Sequence, residues 1–122
     1  MKITIVESPY SSPDRLTCLR YACWACFDCI LRGEAPFASH LLFTQILPET
    51  PTSRDLGLAM RDTIAKATQG LVAQYVDLGT TAGMFRDVDC TAVVVQRRLT
   101  GLSLAAWQRG EWPVGSIRPA VL

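Results

Sequence analysis

The chain has 122 residues, a formal net charge of +1 and 49% hydrophobic residues. That length suits one domain, and the apolar share excludes a disordered chain. The 12 Lys and Arg residues form no basic block, which argues against a dedicated nucleic-acid binder. No apolar run has the length of a membrane span, so no membrane partner is expected. The first residues enter an apolar strand without the basic and long apolar regions of a secretory signal, which sets the expectation of a cytoplasmic protein.

Met1 to Val6 reads as the first strand. Ser11-Ser12-Pro13-Asp14 reads as a helix start, with Ser12 as cap, Pro13 at the first helical position and Asp14 toward the positive end of the dipole. Leu16, Leu19, Cys23, Cys26, Phe27 and Ile30 recur at three- and four-residue spacing and predict the buried face of that helix, which Gly33 ends. Ala35 to Ser39 is a short second strand, led in by Pro36, with His40 at its end. Leu47 to Ser53 reads as a proline-bearing loop in which Thr52 or Ser53 caps the next helix. Leu56, Ala59, Met60, Ile64 and Ala67 predict its buried face, up to a stop at Gly70. Gly57 weakens it by roughly 1 kcal/mol relative to alanine, which suggests close packing there.

Leu71 to Val76 is the third strand, a helical turn begins near Ala82, and Ala92 to Val95 forms a fourth strand. Leu104 to Arg109 is a last short helix, and Trp112 to Leu122 is a tail punctuated by proline and glycine. The order β-α-β-α-β-α-β predicts an α/β fold with a parallel sheet of four to five strands and right-handed crossovers.

Cys23-x-x-Cys26-x-x-Cys29 has the spacing of a metal or iron–sulfur motif. It lies, however, within an amphipathic helical pattern, alternating with Trp24, Phe27 and Ile30. Three-residue steps drift round a helix, whereas cluster ligands usually sit in loops, and free cysteine is a common small core residue. No metal site is therefore expected. The remaining cysteines, Cys18 and Cys90, bring the count to an odd 5, which argues against a disulfide framework.

Two loops follow apolar runs: Glu7-Ser8-Pro9-Tyr10 and Asp77 to Met84. In a parallel α/β sheet such loops meet at the carboxyl edge, where ligands bind. They suggest a small-molecule site for a nucleotide-like ligand. Glu7 faces a ligand hydroxyl or amine, or is a solvated strand-end charge. Tyr10 stacks on a base or sugar, or covers the helix start. Arg15, at the end of the helix that its charge disfavours, meets a phosphate, or pairs with Asp14 or Glu7. Gly79 and Gly83 let the backbone turn tightly, Thr80 and Thr81 offer hydroxyls, and the next helix start offers amides to an anion. Asp77 and Asp87, meeting in one pocket, would divide into an ionised and a more protonated carboxyl, or both merely support turns. His40, the only histidine, contacts the ligand or is hydrogen-bonded scaffold.

Four segments together carry a resemblance. They are the Glu7-Ser8-Pro9-Tyr10 loop, the run from Arg32 through Gly33-Glu34-Ala35-Pro36-Phe37-Ala38-Ser39-His40 to Leu42, Leu56-Gly57, and Asp77-Leu78-Gly79 through Gly83-Met84. The chain resembles the small phage and bacterial proteins akin to nucleoside 2-deoxyribosyltransferases, over about residues 3–99 and most specifically over 33–42. The resemblance implies a flavodoxin/Rossmann-like three-layer sandwich and a domain over 1–99; the tail after Thr100 has no counterpart in it, and 100–122 is expected to be an extension that packs on the domain or on a neighbouring subunit. It implies a nucleoside or nucleotide ligand and a homo-oligomer. By resemblance Asp87 stands where the transferases carry the glutamate that attacks the anomeric carbon, and Asp77 matches the assisting strand-end aspartate. The first loop, with Pro9, and the Gly83-Met84 pair hold substrate. Aspartate is one methylene shorter than glutamate, and a displacement of about an ångström costs a nucleophile on the order of a hundredfold in rate. Trp107 and Trp112 pack on a neighbour, close the pocket or cover the sheet edge.

These features imply a nucleotide-pocket protein. One form cleaves or exchanges an N-glycosidic bond without a cofactor. The alternative is a non-catalytic nucleotide binder, for example a phage sponge for a nucleotide immune signal. A structural oligomer with a vestigial pocket is the third form.

Overall fold

The computed structural model describes residues 1–10, 13–81, 84 and 93–113. The helical turn expected near Ala82, the start of the fourth strand at Ala92, Cys90 and most of the tail lie outside the described residues. The described elements are β1 (Ile3–Glu7), α1 (Arg15–Leu31), β2 (Ala35–Phe37), α2 (Ser39–Leu42), a 3-10 turn (Phe43–Gln45), α3 (Pro51–Thr68), β3 (Leu71–Tyr75), β4 (Val94–Arg97) and α4 (Gly101–Gln108). The four strands are parallel, in the order β2-β1-β3-β4. Ile5 stands between Phe37 and Val72, and Ala73 pairs with Val95.

The period-two alternation of the strands divides the core into two layers. Val6, Ala73 and Tyr75 pack against Tyr21, Trp24, Ala25 and Cys29 of α1 and Ala106 of α4. Ile5 and Val72 pack on the other face against Ala65 and Ile64 of α3. The molecule is thus a three-layer α/β sandwich of the flavodoxin/Rossmann type. The chain order reverses between β1 and β3, so the topological switch point lies there.

Local chemistry moves several helix boundaries from where the sequence pattern sets them. Asp14 caps α1, its carboxylate accepting from the Thr17 amide and hydroxyl, both at 2.8 Å, while Ser12, the expected cap, lies outside the described residues. These bonds hold the Asp14 carboxyl below its ordinary range. At the other end Gly33, at φ 80°, closes a Schellman motif: its amide bonds to Ile30 O and that of Glu34 to Cys29 O, both at 2.9 Å. Thr50, not Thr52 or Ser53, caps α3 by accepting from the Ser53 amide at 3.1 Å, which leaves Pro51 in the first turn, where its missing N–H is harmless. The left-handed residue that ends α3 is Gln69 rather than Gly70. Gly70 answers a different need, since a Cβ there would stand 2.9 Å from the Ile3 carbonyl oxygen.

The buried faces of both long helices are rotated from the expected ones. In α1 the buried stripe runs through Cys18, Tyr21, Ala22, Ala25 and Cys29, joined by Trp24 and Asp28, while Leu16 is 65% and Ile30 51% exposed. Apolar residues surround this helix, so spacing alone does not select a face. The sheet on one side and α4 on another select the stripe that carries the aromatic rings. In α3 the buried residues are Arg61 and Ala65, and Leu56 is exposed. Here a buried ion pair, described below, sets the face.

The segment after residue 99 packs on α1. Trp107 meets Tyr21 edge-on with centroids 5.1 Å apart and lies beneath the Arg20 guanidinium. The Trp24 indole donates to Glu111 O at 2.7 Å. Buried Asp28 joins three elements. It accepts from Tyr75 Oη at 2.6 Å, from Arg32 Nε at 2.9 Å and from the Thr100 hydroxyl at 2.9 Å. Burial alone would raise this carboxyl, but the hydrogen bonds outweigh it and hold the group below its ordinary range. Among the described residues no helix is long and apolar enough to cross a membrane.

Gly57 does not serve close packing. A Cβ at that position would meet Phe43 Cδ2 at 3.9 Å, an ordinary contact. Gly57→Ala is therefore expected to stabilise the fold by up to about 1 kcal/mol through helix propensity, read as a raised urea midpoint with unchanged slope.

Candidate functional site

A cavity of about 450 Å³ opens at the carboxyl edge of the sheet, on the α3 side. Its floor is the end of β1 and its walls are α2, the 3-10 turn and α3, with Thr81 and Met84 reaching it from the chain after β3. Phe43, Leu47, Leu58 and Met84 supply apolar lining. Gln74 positions this last segment by donating to Met84 O at 2.5 Å.

The floor carries a buried ion pair. Glu7 is the last residue of β1, and by strand alternation it shares the α3 face with Ile5. Its Oε1 accepts from Arg61 Nη1 at 2.5 Å, and the two side chains are 7% and 2% exposed. Arg61 Nη2 also reaches Asp62 Oδ1 at 2.8 Å. The second carboxylate oxygen, Glu7 Oε2, is buried and has no hydrogen-bond partner among the described residues. Burial raises the Glu7 carboxyl, and the facing Arg61, helped by the neighbouring Gln74 amide, opposes that rise without cancelling it.

Beside Glu7, the Ser8 hydroxyl and His40 Nε2 are hydrogen-bonded at 2.8 Å. His40 does not end a strand. Pairing of β2 with β1 stops at Phe37, and the Ala38 carbonyl then accepts from Leu41 and Leu42, so His40 sits in the first turn of α2. Its ring is withdrawn from water although the residue keeps some accessible surface, and this desolvation pushes the imidazole down to about 4. It is neutral at pH 7 and serves as a polar, uncharged wall.

At the mouth, Tyr10 Oη donates to Glu49 Oε1 at 3.0 Å, and Arg15 forms an ion pair with the same carboxylate. The Arg15 guanidinium lies over the Tyr10 ring, 5.3 Å from its centroid. Arg15 thus pairs with neither Asp14 nor Glu7 but with a residue 34 positions away.

The structure brings together Glu7, Ser8, Tyr10, Arg15, His40 and Met84 around one cavity, with Pro9 buried in the same loop. It does not bring Asp77, Gly79 or Thr80 there. Asp77 falls on the α1 side of the sheet, where its Oδ2 accepts from Tyr21 Oη at 2.5 Å and from the Leu99 amide at 2.9 Å. Gly79, at φ 88°, makes the turn after β3, its amide bonding to Val76 O at 2.9 Å. Thr80 is exposed. Asp87 and Gly83 lie outside the described residues. Neither Trp107 nor Trp112 lines the cavity.

Sequence reasoning passed over Arg61, Phe43 and Glu49. Arg61 carried a legible signal, since it stands three residues after Leu58 and four before Ala65, a cation on an apolar stripe. Glu49, in a loop distant from both Tyr10 and Arg15, carried none. Cys23, Cys26 and Cys29 all lie on α1, and burial pushes the Cys26 and Cys29 thiols up to about 12 and about 11. Both are protonated at neutral pH. Among the described residues no group of His, Cys, Asp and Glu is arranged to hold a metal ion.

Residues 2–97 match the family described as a domain of unknown function (DUF7768), and the chain belongs to that family. No curated protein and no solved structure matches the chain.

Two outcomes follow from the site's electrostatics. Arg61→Met leaves the Glu7 carboxylate buried without its cation and is expected to cost roughly 3 kcal/mol. In Glu7→Gln/Arg61→Met much of that loss returns, so urea unfolding of wild type, the two single variants and the double variant yields a strongly non-additive cycle. The second concerns pH. The folded state holds His40 near 4 against 6.5 unfolded, so below pH 6.5 only the unfolded chain takes up that proton. The contribution is fully present above pH 6.5 and is lost as pH falls toward 4. Raised Glu7 contributes the opposite sign, and His40 is the only histidine. Comparing urea midpoints of wild type and His40→Gln between pH 7 and 5 isolates the term: the variant is expected to lose less stability across that interval.

Proposed function

We propose that this protein binds a nucleoside or nucleotide in the cavity beside β1, as a pocket protein of the nucleoside 2-deoxyribosyltransferase type drawing on a cytoplasmic nucleotide pool. The observation that carries this reading is Glu7 Oε2: a buried acceptor without a hydrogen-bond partner among the described residues, on the floor of a cavity of about 450 Å³ beside the topological switch point. A buried acceptor left unmade costs free energy, and a ligand hydroxyl or amine relieves it. The apolar walls from Phe43, Leu47, Leu58 and Met84 suit the face of a base. The Ser8–His40 pair offers a further hydrogen-bonding group near the floor.

Binding is favoured over turnover because Glu7 is held by Arg61 and Asp77 is engaged on the far side of the sheet. Neither is placed to attack a sugar in this cavity. The raised Glu7 carboxyl supports a second reading, cleavage or exchange of an N-glycosidic bond, since such a group can pass a proton to a departing base. Under that reading Asp87 is the nucleophile.

The test is incubation with deoxynucleosides, their monophosphates and cyclic dinucleotides, followed by chromatography of free and protein-bound fractions. Intact ligand retained by the protein, with affinity reduced at least about tenfold in folded Glu7→Gln, is the expected outcome. Free base that accumulates with wild type but not with Asp87→Ala establishes the enzyme reading instead. Failure to retain or convert any member of the panel overturns both.

A further inference from the structure

We infer that the mouth of the cavity is a subsite for the phosphate of a nucleoside monophosphate, and that the Glu49 carboxylate occupies it when the cavity is empty. This rests on the reading that the cavity takes a nucleoside.

The geometry points to it from three elements. Tyr10, in the loop after β1, donates its hydroxyl to Glu49. Arg15, the first residue of α1, presents its guanidinium to the same carboxylate. Arg54, in the first turns of α3, lines the same cavity and adds a second positive charge toward Glu49. A hydroxyl and a guanidinium that both contact one carboxylate, with a second guanidinium lining the same cavity, are the donor set of a phosphate site. The anion they hold belongs to the protein itself, on the stretch between the 3-10 turn and α3.

Arg15 also stands where its charge is unfavourable. A cation in the first turn opposes the helix dipole, and Asp14 is already committed to capping that turn through the Thr17 amide and hydroxyl. The arginine is turned instead toward the cavity, over the Tyr10 ring. The side chains of Arg15 and Glu49 are 58% and 49% exposed, and an ion pair so exposed contributes little to stability. A phosphate carries a charge of about −1.5 to −2 and three acceptor oxygens, against one charge and two oxygens on Glu49. It therefore competes effectively for the same donors, and Glu49 swings out to solvent. The device sets a preference: phosphorylated ligands displace the internal anion, whereas an unphosphorylated nucleoside leaves it in place.

The experiment is titration calorimetry of the full chain with the common deoxynucleosides and their 5′-monophosphates, in wild type, Glu49→Gln and Arg15→Gln. The quantity read is the ratio of nucleoside Kd to monophosphate Kd. It is expected to exceed one in wild type, to rise about tenfold in Glu49→Gln, to fall toward one in Arg15→Gln, and to shrink with added salt. A ratio that is the same in all three proteins overturns the inference while leaving nucleoside binding intact. If neither a nucleoside nor a monophosphate binds, the pocket reading fails, and inorganic phosphate then decides the subsite. Tyr10 ring resonances that shift with phosphate in Glu49→Gln but not in Arg15→Gln support it, and shifts in neither or in both overturn it.

Discussion

The site is organised around the buried pair of Glu7 and Arg61. Two charges with almost no solvent exposure face each other at 2.5 Å between the last residue of β1 and the middle of α3. Desolvating such groups costs several kcal/mol per ion, about what their attraction returns. The pair is thus better regarded as a constraint than as a source of stability. It orients α3, because only one helical face brings Arg61 over the end of β1. That orientation puts Leu58 and Gly57 into the cavity wall and turns Leu56 outward. It also leaves one carboxylate oxygen buried without a hydrogen-bond partner among the described residues.

The opposite face of the sheet is tied by carboxylates in another way. Asp28 and Asp77 accept hydrogen bonds from Tyr75, Thr100, Tyr21 and the Leu99 amide. They bind α1, β3 and the start of α4 into one layer. The sheet therefore separates two carboxylate chemistries. On the α1 side the carboxylates are satisfied and hold the scaffold. On the α3 side Glu7 is partly satisfied and faces a cavity. Membership of the DUF7768 family covers the sheet through β4, whereas α4, which completes the α1 layer, lies beyond residue 97.

Much of the architecture was legible because it rests on local rules. Alternation of apolar strands and helical spacing implied the parallel α/β sheet, and Gly33 marked the end of α1 through its left-handed φ. That the Glu7 to Tyr10 loop, Arg15 and His40 share one edge was legible because the carboxyl edge of a parallel sheet collects the segments after its strands. The helix faces were not legible. Leu16, Ile30 and Leu56 have the hydrophobicity of core residues and the spacing of a stripe, but nothing within a helix says where its neighbours lie. The pairing of Arg15 with Glu49 was equally hidden, since no periodicity links residues from separate loops.

The sequence by itself determined the four strands, the two long helices and the parallel α/β class, because hydrophobic period and turn chemistry act over a few residues. Only the tertiary structure decided which side of the sheet each strand-end carboxylate faces. A shift of one position along a strand moves a side chain to the opposite face. Glu7 ends β1 toward α3 and meets Arg61 above a cavity. Asp77, two residues beyond the end of β3, falls on the α1 side and is consumed by Tyr21 and Leu99. Which carboxylate lines the cavity and which serves the scaffold is set by how the layers stack.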